Sequence, residues 1–182
     1  MKILIVNPPF YRLQRASLVH YPPGCCYMAA TLEEAGFHAL IYNTDYDPNI
    51  KTILGNTNHI NVSALTELSK EYARRLQDDN DPIWREIYDY IYHYKPEVLI
   101  LSVFSTTATA GERIARMAKQ IDFRVLTIFE GSTNRGLHCA IDPSKNISFD
   151  YMNFAIRKEP EFTVVEIVKA IASNETDFSC IK

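Results

Sequence analysis

The chain of 182 residues is long enough for one domain of ordinary size, and its hydrophobic fraction of 47% is typical of a globular protein. Its 19 basic and 22 acidic residues give a net charge of −3, which argues against a general nucleic-acid binder. No apolar segment approaches the roughly 20 residues of a membrane-spanning helix, and the amino terminus does not resemble a signal peptide. We therefore expect a cytoplasmic protein without a membrane span or a nucleic-acid partner.

The cysteines give no sign of a metal site. They are Cys25, Cys26, Cys139 and Cys180, and no two of them have the C-x-x-C spacing found in many zinc and iron–sulfur sites. We therefore expect reduced thiols that pack in the protein.

The amino-terminal segment predicts a central strand followed by a rigid loop. Residues 3–6 form a continuous apolar run, which is typical of a strand buried on both faces of a parallel sheet. Pro8 and Pro9 follow closely, and both lack the backbone N–H that a strand ladder needs. Ligands of open parallel sheets bind beyond the carboxyl ends of the strands, so the loop at residues 7–11 is a candidate ligand contact.

The other elements alternate between strands and helices. Apolar runs predict further strands at residues 38–42, 98–103, 124–129 and 150–154. Apolar residues at helical spacing predict helices at residues 25–35, 62–76, 82–94, 107–120 and 161–172. This order predicts an α/β fold, a doubly wound five-stranded parallel sheet of order 2-1-3-4-5, with a helical insertion between strands 2 and 3.

Local signals support the bounds of individual helices. Asp81 and Pro82 suit the N-cap and first position of the helix at residues 82–94, and Gly36 is placed to end the first helix. We expect one domain over residues 1–172 and a loose tail, or the start of a linker, over residues 173–182.

The loops at the carboxyl ends of the strands should meet at one edge of the sheet. These loops are residues 7–11, 102–109, 130–134 and 155–161. The second of them is rich in hydroxyls and precedes a helix, whose free N–H groups favour anions. Thr106 or Thr107 is expected to cap that helix with its side chain. The loops lack a nucleophile with a base beside it, and no G-x-G-x-x-G or P-loop motif occurs, so we expect ligand binding rather than catalysis.

One helix carries an unusual number of aromatic residues. They are Trp84, Tyr88, Tyr90, Tyr92 and Tyr94. Such a stripe is most often core packing, and a partner surface is the alternative.

Several landmarks match one family in order and spacing. Residues 2–10 (KILIVNPPF) and 27–36 (YMAATLEEAG) are similar to its opening strand with Asn-Pro-Pro and to its helix close to LAAxLEEAG. Residues 95–102 (KPEVLILS) resemble its xPDVVGIS, and residues 150–161 lie where it has DYVVRGEGE. Over residues 1–172 the chain resembles the amino-terminal cobalamin-binding domain of cobalamin-dependent radical S-adenosylmethionine enzymes.

The resemblance implies a Rossmann-like (flavodoxin-like) domain that holds the corrin ring of cobalamin on its carboxyl-edge loops, with the nucleotide tail in a groove beside the sheet. The chain has no D-x-H-x-x-G, so no histidine is offered to the cobalt. The expected cofactor contacts are Asn7, Pro8, Pro9, Ser102, Ser105, Thr106, Thr107, Gly131, Ser132 and Glu159.

The resemblance also implies a parent enzyme of methyltransferase or cyclase type. Its barrel domain would carry C-x-x-x-C-x-x-C and hold a [4Fe-4S] cluster and S-adenosylmethionine. That motif does not occur in these 182 residues. We therefore expect a module that is not catalytic by itself, with a radical barrel, covalently linked or separate, as its partner.

Two loops depart from the family pattern. The Gly-Gly turn reads Gly131-Ser132, and Lys158 and Pro160 replace two glycines of the last loop. Two other functions therefore stay open. One is a scaffold or interaction module with a vestigial site, and the other is a flavodoxin-like domain that binds a flavin or nucleotide and uses the Thr-rich loop for its phosphate.

Overall fold

The computed structural model describes residues 1–16, 22–50, 62–131, 151–156, 160–179 and 181. The strands are β1 (Ile3–Asn7), β2 (Ala39–Asn43), β3 (Val98–Ser102), β4 (Leu126–Glu130) and β5 (Phe154–Ile156). The helices are α1 (Pro23–Glu34), α2 (Val62–Gln77), α3 (Pro82–Tyr94), α4 (Ala108–Ile121) and α5 (Pro160–Ala172), with a 3-10 turn at Arg12–Gln14.

The strands form a single parallel sheet in the order β2-β1-β3-β4-β5, which confirms the predicted fold class and strand order. Every residue of β1 and β3 is buried. Ile3 pairs with Val98, and the register continues to Val6 and Leu101. The continuous apolar runs therefore mark the two strands that have a neighbour on each side and a helical layer on each face.

The two faces of the sheet carry separate cores. One face packs against α1 and α5, with Met28, Leu32 and Val164 among its buried side chains. The other packs against α3 and α4, with Trp84 and Ile114 among its buried side chains. Thus α3 acts as the helical crossover toward β3, and α2 is the additional helix of the insertion.

The signals predicted for the start of α3 and the end of α1 are confirmed. Asp81 precedes α3, and its Oδ1 accepts the N–H of Ile83 at 3.1 Å, while Pro82 takes the first helical position. Gly36 follows α1 with φ +87°, a left-handed conformation that favours glycine. Asp81 accepts a free N–H at the start of α3, and Gly36 adopts the left-handed conformation after α1. Since both effects are local, these helix bounds could be predicted from short sequence patterns.

The predicted position of the fifth strand is wrong by a few residues. Thr127 Oγ1 donates to Tyr151 O at 2.5 Å, and Asn153 Oδ1 accepts the N–H of Thr127 at 3.0 Å. These bonds hold residues 151–153 outside the strand, so β5 begins at Phe154. Asp150, the first residue of the predicted strand, lies outside the described residues.

The tail after α5 is packed in part, although a loose segment was expected. The Phe178 ring meets the Phe154 ring edge to face, with 4.8 Å between centroids. Ile181 packs against the core cluster beneath α1 and α5. Among the described helices, none is long and apolar enough to cross a membrane.

Candidate functional site

The carboxyl ends of β1 and β3 lie side by side at the centre of the sheet. The helix after β1 covers one face, and the helix after β3 covers the other. A doubly wound sheet opens a crevice at such a point, since the connections that follow the two adjacent strands lead to opposite faces of the sheet. We call this place the switch-point crevice, and its sides are the loops after β1 and β3.

The loop after β1 is tied to the loop after β2 by buried polar contacts. Asn7 Nδ2 donates to Asn43 Oδ1 at 2.9 Å, and Thr44 Oγ1 donates to Asn7 O at 2.6 Å. Asn7 and Thr44 are 6% and 0% exposed, and Pro8 and Pro9 are buried as well. The Asn-Pro-Pro sequence therefore forms the floor of the crevice, and the Asn7 amide group is held by the protein itself.

Asp45 supplies an anion to this loop. Its Oδ1 accepts the N–H groups of Phe10 at 2.9 Å and Arg12 at 2.8 Å, and the N–H of Tyr11 also bonds to its carboxylate. Burial raises the pKa of Asp45 above its ordinary value, although the three N–H groups act in the opposite direction. Prolines occupy positions 8 and 9, so across residues 8–12 each backbone position either has no N–H or donates to Asp45.

Arg12 connects this loop to α3. Its Nη2 lies 2.8 Å from Glu86 Oε2 and 3.2 Å from Asp47 Oδ2, and its Nη1 donates to Thr44 O at 3.0 Å. The hydrogen bonds of Arg12 lower the pKa of Glu86 below its ordinary value, against the effect of partial burial. Tyr42 adds a further bond from its hydroxyl to Glu86 Oε1 at 2.9 Å. These contacts fix the position of α3 relative to the carboxyl edge.

The loop after β3 is much more open. Phe104 is 55% exposed, and Ser105 and Thr106 are exposed beside it. Thr107 occupies the N-cap position of α4, but its side chain makes no capping bond to the helix. Its Oγ1 instead accepts the N–H of Phe104 at 2.9 Å, within the loop that precedes α4. The predicted side-chain cap is therefore wrong.

A second polar group lies beneath the crevice. Ser102 is 6% exposed, and its side chain hydrogen-bonds to the buried thiol of Cys25. Burial raises the pKa of Cys25 to about 12, so the thiol is neutral at ordinary pH. Glu130 and Gly131, at the end of β4, are buried as well. Ser102 is thus a packing contact of α1 in this structure.

The helical insertion reaches across both loops. Tyr72 of α2 donates its hydroxyl to Thr106 O at 2.6 Å, and its ring lies 5.1 Å from the Phe10 ring, centroid to centroid. Burial raises the pKa of Tyr72 to about 12, so this hydroxyl keeps its proton and remains a donor. One side chain therefore joins the loop after β1 to the loop after β3.

The ten predicted contacts divide into three groups. The buried members are Asn7, Pro8, Pro9, Ser102, Thr107 and Gly131. The exposed members are Ser105 and Thr106, and Ser132 and Glu159 lie outside the described residues. The sheet brings the first eight to its carboxyl edge, as the parallel strand order requires.

Sequence reasoning missed Asp45, Arg12 and Tyr72. Asp45 had a visible signal, because it follows strand 2 closely and the expected order places strand 2 beside strand 1. Tyr72 had no comparable signal, since a tyrosine on an amphipathic helix usually packs in a core.

No model of a known protein family matches this chain, and no curated protein matches it either. Within the part of the chain that the structure describes, no group of three or more His, Cys, Asp and Glu side chains is placed to hold a metal ion.

A large cavity lies at the opposite edge of the sheet. It measures about 1000 Å³ and is bordered by Phe37, Lys95, Glu97 and Arg124, next to the amino ends of the strands. Ligands of open parallel sheets bind at the carboxyl edge, where helix amino ends and switch points lie. We therefore place the candidate site at the switch-point crevice.

Proposed function

We propose that this chain is the cobalamin-binding module of a radical S-adenosylmethionine enzyme of methyltransferase or cyclase type. In this proposal the corrin ring lies on the carboxyl edge of the sheet, over the switch-point crevice. The cluster and S-adenosylmethionine belong to a radical barrel domain outside these residues. The module holds the cofactor and carries out no catalysis of its own.

One observation carries the choice of ligand class. Asp45 accepts the N–H groups of Phe10, Tyr11 and Arg12, and residues 8 and 9 are prolines, so the loop after β1 offers a phosphate no free backbone donor at residues 8–12. A ligand here must be held mainly by packing and by side chains. A corrin suits these conditions, because it presents a broad apolar ring with amide groups around its rim.

The side chains at the crevice fit such a ligand. Phe104 is 55% exposed and offers an apolar contact, while Phe10 is half-buried on the other side of the crevice. The exposed hydroxyls of Ser105 and Thr106 are suited to the amide groups of the corrin rim. Bound cobalamin would supply a cobalt ion able to carry a methyl group, and these residues would orient the ring.

The flavin or nucleotide alternative has less support. A flavodoxin-type cofactor lies at the same switch point, and its phosphate needs several N–H or hydroxyl donors. The loop after β1 has no free backbone N–H at residues 8–12, and the Thr107 hydroxyl is already bonded to Phe104. The phosphate would have to be held by the hydroxyls of Tyr11, Ser105 and Thr106 and by the amino end of α4.

The interaction-module alternative has one observation in its favour. Tyr88 and Tyr92 on α3 are 37% and 50% exposed, and their rings stack with 6.3 Å between centroids. Trp84, by contrast, is 1% exposed and belongs to the core. Most of the aromatic helix therefore packs against the sheet, and a partner would meet only its outer tyrosine pair.

Visible absorbance tests the proposal directly. The purified chain is titrated with hydroxocobalamin and, separately, with flavin mononucleotide. The same titrations are made with Thr106→Tyr, which places a large side chain at the crevice, and with Thr176→Tyr, which makes the same change at an exposed position of the tail. We expect a saturable hydroxocobalamin shift with the wild type and Thr176→Tyr, and its loss with Thr106→Tyr.

The other outcomes are equally informative. A saturable flavin response without a cobalamin shift would transfer the site to the flavodoxin-type function. No response to either ligand would contradict cofactor binding by this chain and favour the interaction module. A cobalamin shift that Thr106→Tyr leaves unchanged would move the ligand away from the switch-point crevice.

A further inference from the structure

Helix α2 is attached to the body of the protein through its carboxyl-terminal half. Glu71 accepts a bond from Arg15 Nε at 2.9 Å. Arg75 bonds to Asp81 at 2.6 Å, and Arg113 Nη1 donates to Leu76 O at 2.8 Å. These contacts, with the Tyr72 hydroxyl on Thr106 O, hold this half of the helix beside the crevice.

The amino-terminal half of α2 continues beyond these attachments. Leu65 is 50% exposed, and the described residues around it are mostly exposed. A helix rises 1.5 Å per residue, so Leu65 lies about 10 Å from Tyr72 along the helix axis. Leu76 bonds to Arg113 in the second turn of α4, whereas Tyr72 bonds to Thr106 just before that helix, so toward its own amino terminus α2 runs to the carboxyl edge of the sheet. The amino-terminal half of α2 therefore extends past the crevice loops as a projecting wall.

The apolar side of this wall has a defined direction. A helix turns about 100° per residue, which puts Leu65 and Leu68 within about 40° of the direction of Tyr72. Glu67 and Lys70, which form an ion pair at 2.8 Å, lie on the opposite side by the same count. Because Tyr72 points at Phe10 and Thr106, the two leucines face the space above the crevice.

An exposed leucine on an amphipathic helix needs no explanation by itself. Here the leucines continue the apolar side that Tyr72 begins, and Phe104 is 55% exposed on the loop that Tyr72 holds. The wall and the loop thus present apolar side chains next to the same crevice. Only a ligand that rises well above the sheet edge can touch both.

We propose that the amino-terminal half of α2 is part of the corrinoid site, with Leu65 and Leu68 packing against the macrocycle. Tyr72 is a positioning residue that holds this wall to the loop after β3. The inference rests on the proposed function, which supplies the corrinoid as occupant. It extends the site to α2, the additional helix of the insertion between β2 and β3.

The test compares two double variants of the full chain. Leu65→Ser with Leu68→Ser removes the apolar side of the wall, and Glu67→Ser with Lys70→Ser makes the same change on the opposite side of the same helix. Both pairs introduce serine, so the loss of helix propensity is similar. Circular dichroism checks that each variant keeps the helix content of the wild type, and absorbance titration with hydroxocobalamin gives the Kd.

We expect the leucine pair to raise the Kd about tenfold, as the loss of two partly buried apolar contacts predicts, and the control pair to leave it unchanged. Tyr72→Phe keeps the ring on Phe10 but removes the bond to Thr106, and should raise the Kd about threefold. This smaller effect would separate the contribution of the Tyr72 hydrogen bond from that of the two leucines.

Three results would overturn the inference. An unchanged Kd in the leucine pair would remove α2 from the site while leaving the proposed function intact. Equal weakening by both pairs would mean that helix integrity matters rather than the leucine contacts. A wild-type chain without any hydroxocobalamin shift would overturn this inference together with the proposed function.

Discussion

The two sides of the switch-point crevice are built in opposite ways. The loop after β1 is buried, and its N–H groups and the Asn7 amide bond to Asp45 and Asn43. The loop after β3 is open, with Phe104 at 55% exposure and two exposed hydroxyl residues beside it. The first loop is therefore a fixed floor, and the groups that stay accessible at the crevice lie on the second loop and on the insertion that touches it.

Removing the Asp45 carboxylate, which holds the loop after β1, should have the largest effect on stability. Asp45→Ala leaves the N–H groups of Phe10 and Arg12 without their acceptor, and each loss costs roughly 1–3 kcal/mol in a buried site. We expect the free energy of unfolding in urea to fall by about 3 kcal/mol, allowing for some rescue by water.

A matched control keeps this test specific. Asp89→Ala on α3 makes the same change at a half-exposed side chain that faces Arg85 at 3.6 Å, and should cost less than about 0.5 kcal/mol. If Asp45→Ala cost no more than this control, the loop after β1 would not depend on Asp45, and the contrast between the two loops would fail.

Gly111 tests how closely the two sides are joined. A Cβ at this position would lie 2.6 Å from Val103 Cγ1, so Gly111→Ala would push α4 away from the loop after β3, whereas Pro8 Cγ at 3.7 Å from the added Cβ would be in ordinary contact. Overpacking against a stiff valine should outweigh the gain in helix propensity and lower the stability by about 2 kcal/mol. Gly24→Ala is the control, since no atom lies within 4 Å of its added Cβ. Thermal unfolding of both variants decides, and equal midpoints would show that α4 has room to move.

The link from the first loop to α3 should have the smallest effect and a clear pH dependence. Glu86 is 49% exposed beside Arg12, so Glu86→Gln should cost only about 1 kcal/mol near neutral pH. The pKa of Glu86 is lowered in the folded protein, mainly by its hydrogen bonds from Arg12. Its contribution is therefore present above the unfolded-state value of about 4.3 and is lost as the pH falls through the lower folded-state pKa.

Urea unfolding of the wild type and Glu86→Gln over this pH range provides the measurement. The difference in stability between the two proteins should shrink on acidification, since Glu86 itself becomes neutral. A difference that stays constant down to about pH 3 would assign the effect to packing or hydrogen bonding rather than to the charge of Glu86.

Much of the fold could be predicted because its determinants are local. The ends of α3 follow from Asp81-Pro82 at one side and Lys95-Pro96 at the other, where a left-handed Lys95 with φ +53° stops the helix. The start of β5 could not be predicted in this way, because Thr127 holds the preceding residues through long-range hydrogen bonds. Tyr151 and Asn153, its two partners, lie 24 and 26 residues further along the chain.

The candidate site divides along the same line. Strand ends and prolines predicted which loops meet, and the sheet brings Asn7, Ser102 and Gly131 to one edge. The partners that decide which donors stay free, Asp45 and Tyr72, lie 35 and 34 residues away from Phe10 and Thr106 in the chain. Local sequence patterns carry no information about such long-range pairs. The sequence could therefore predict where the crevice lies, but not which donors at the crevice stay free.

The short outer strand of the sheet has a consequence for self-association. An exposed strand edge can pair with the edge of another chain, and proteins often limit this by making the edge strand short or by covering it. β5 has only 3 residues, and the tail places the Phe178 ring against Phe154 at its start. The shortness of β5 therefore limits the edge that another chain could pair with, and trimming the chain at residue 172 would uncover the Phe154 ring beside it.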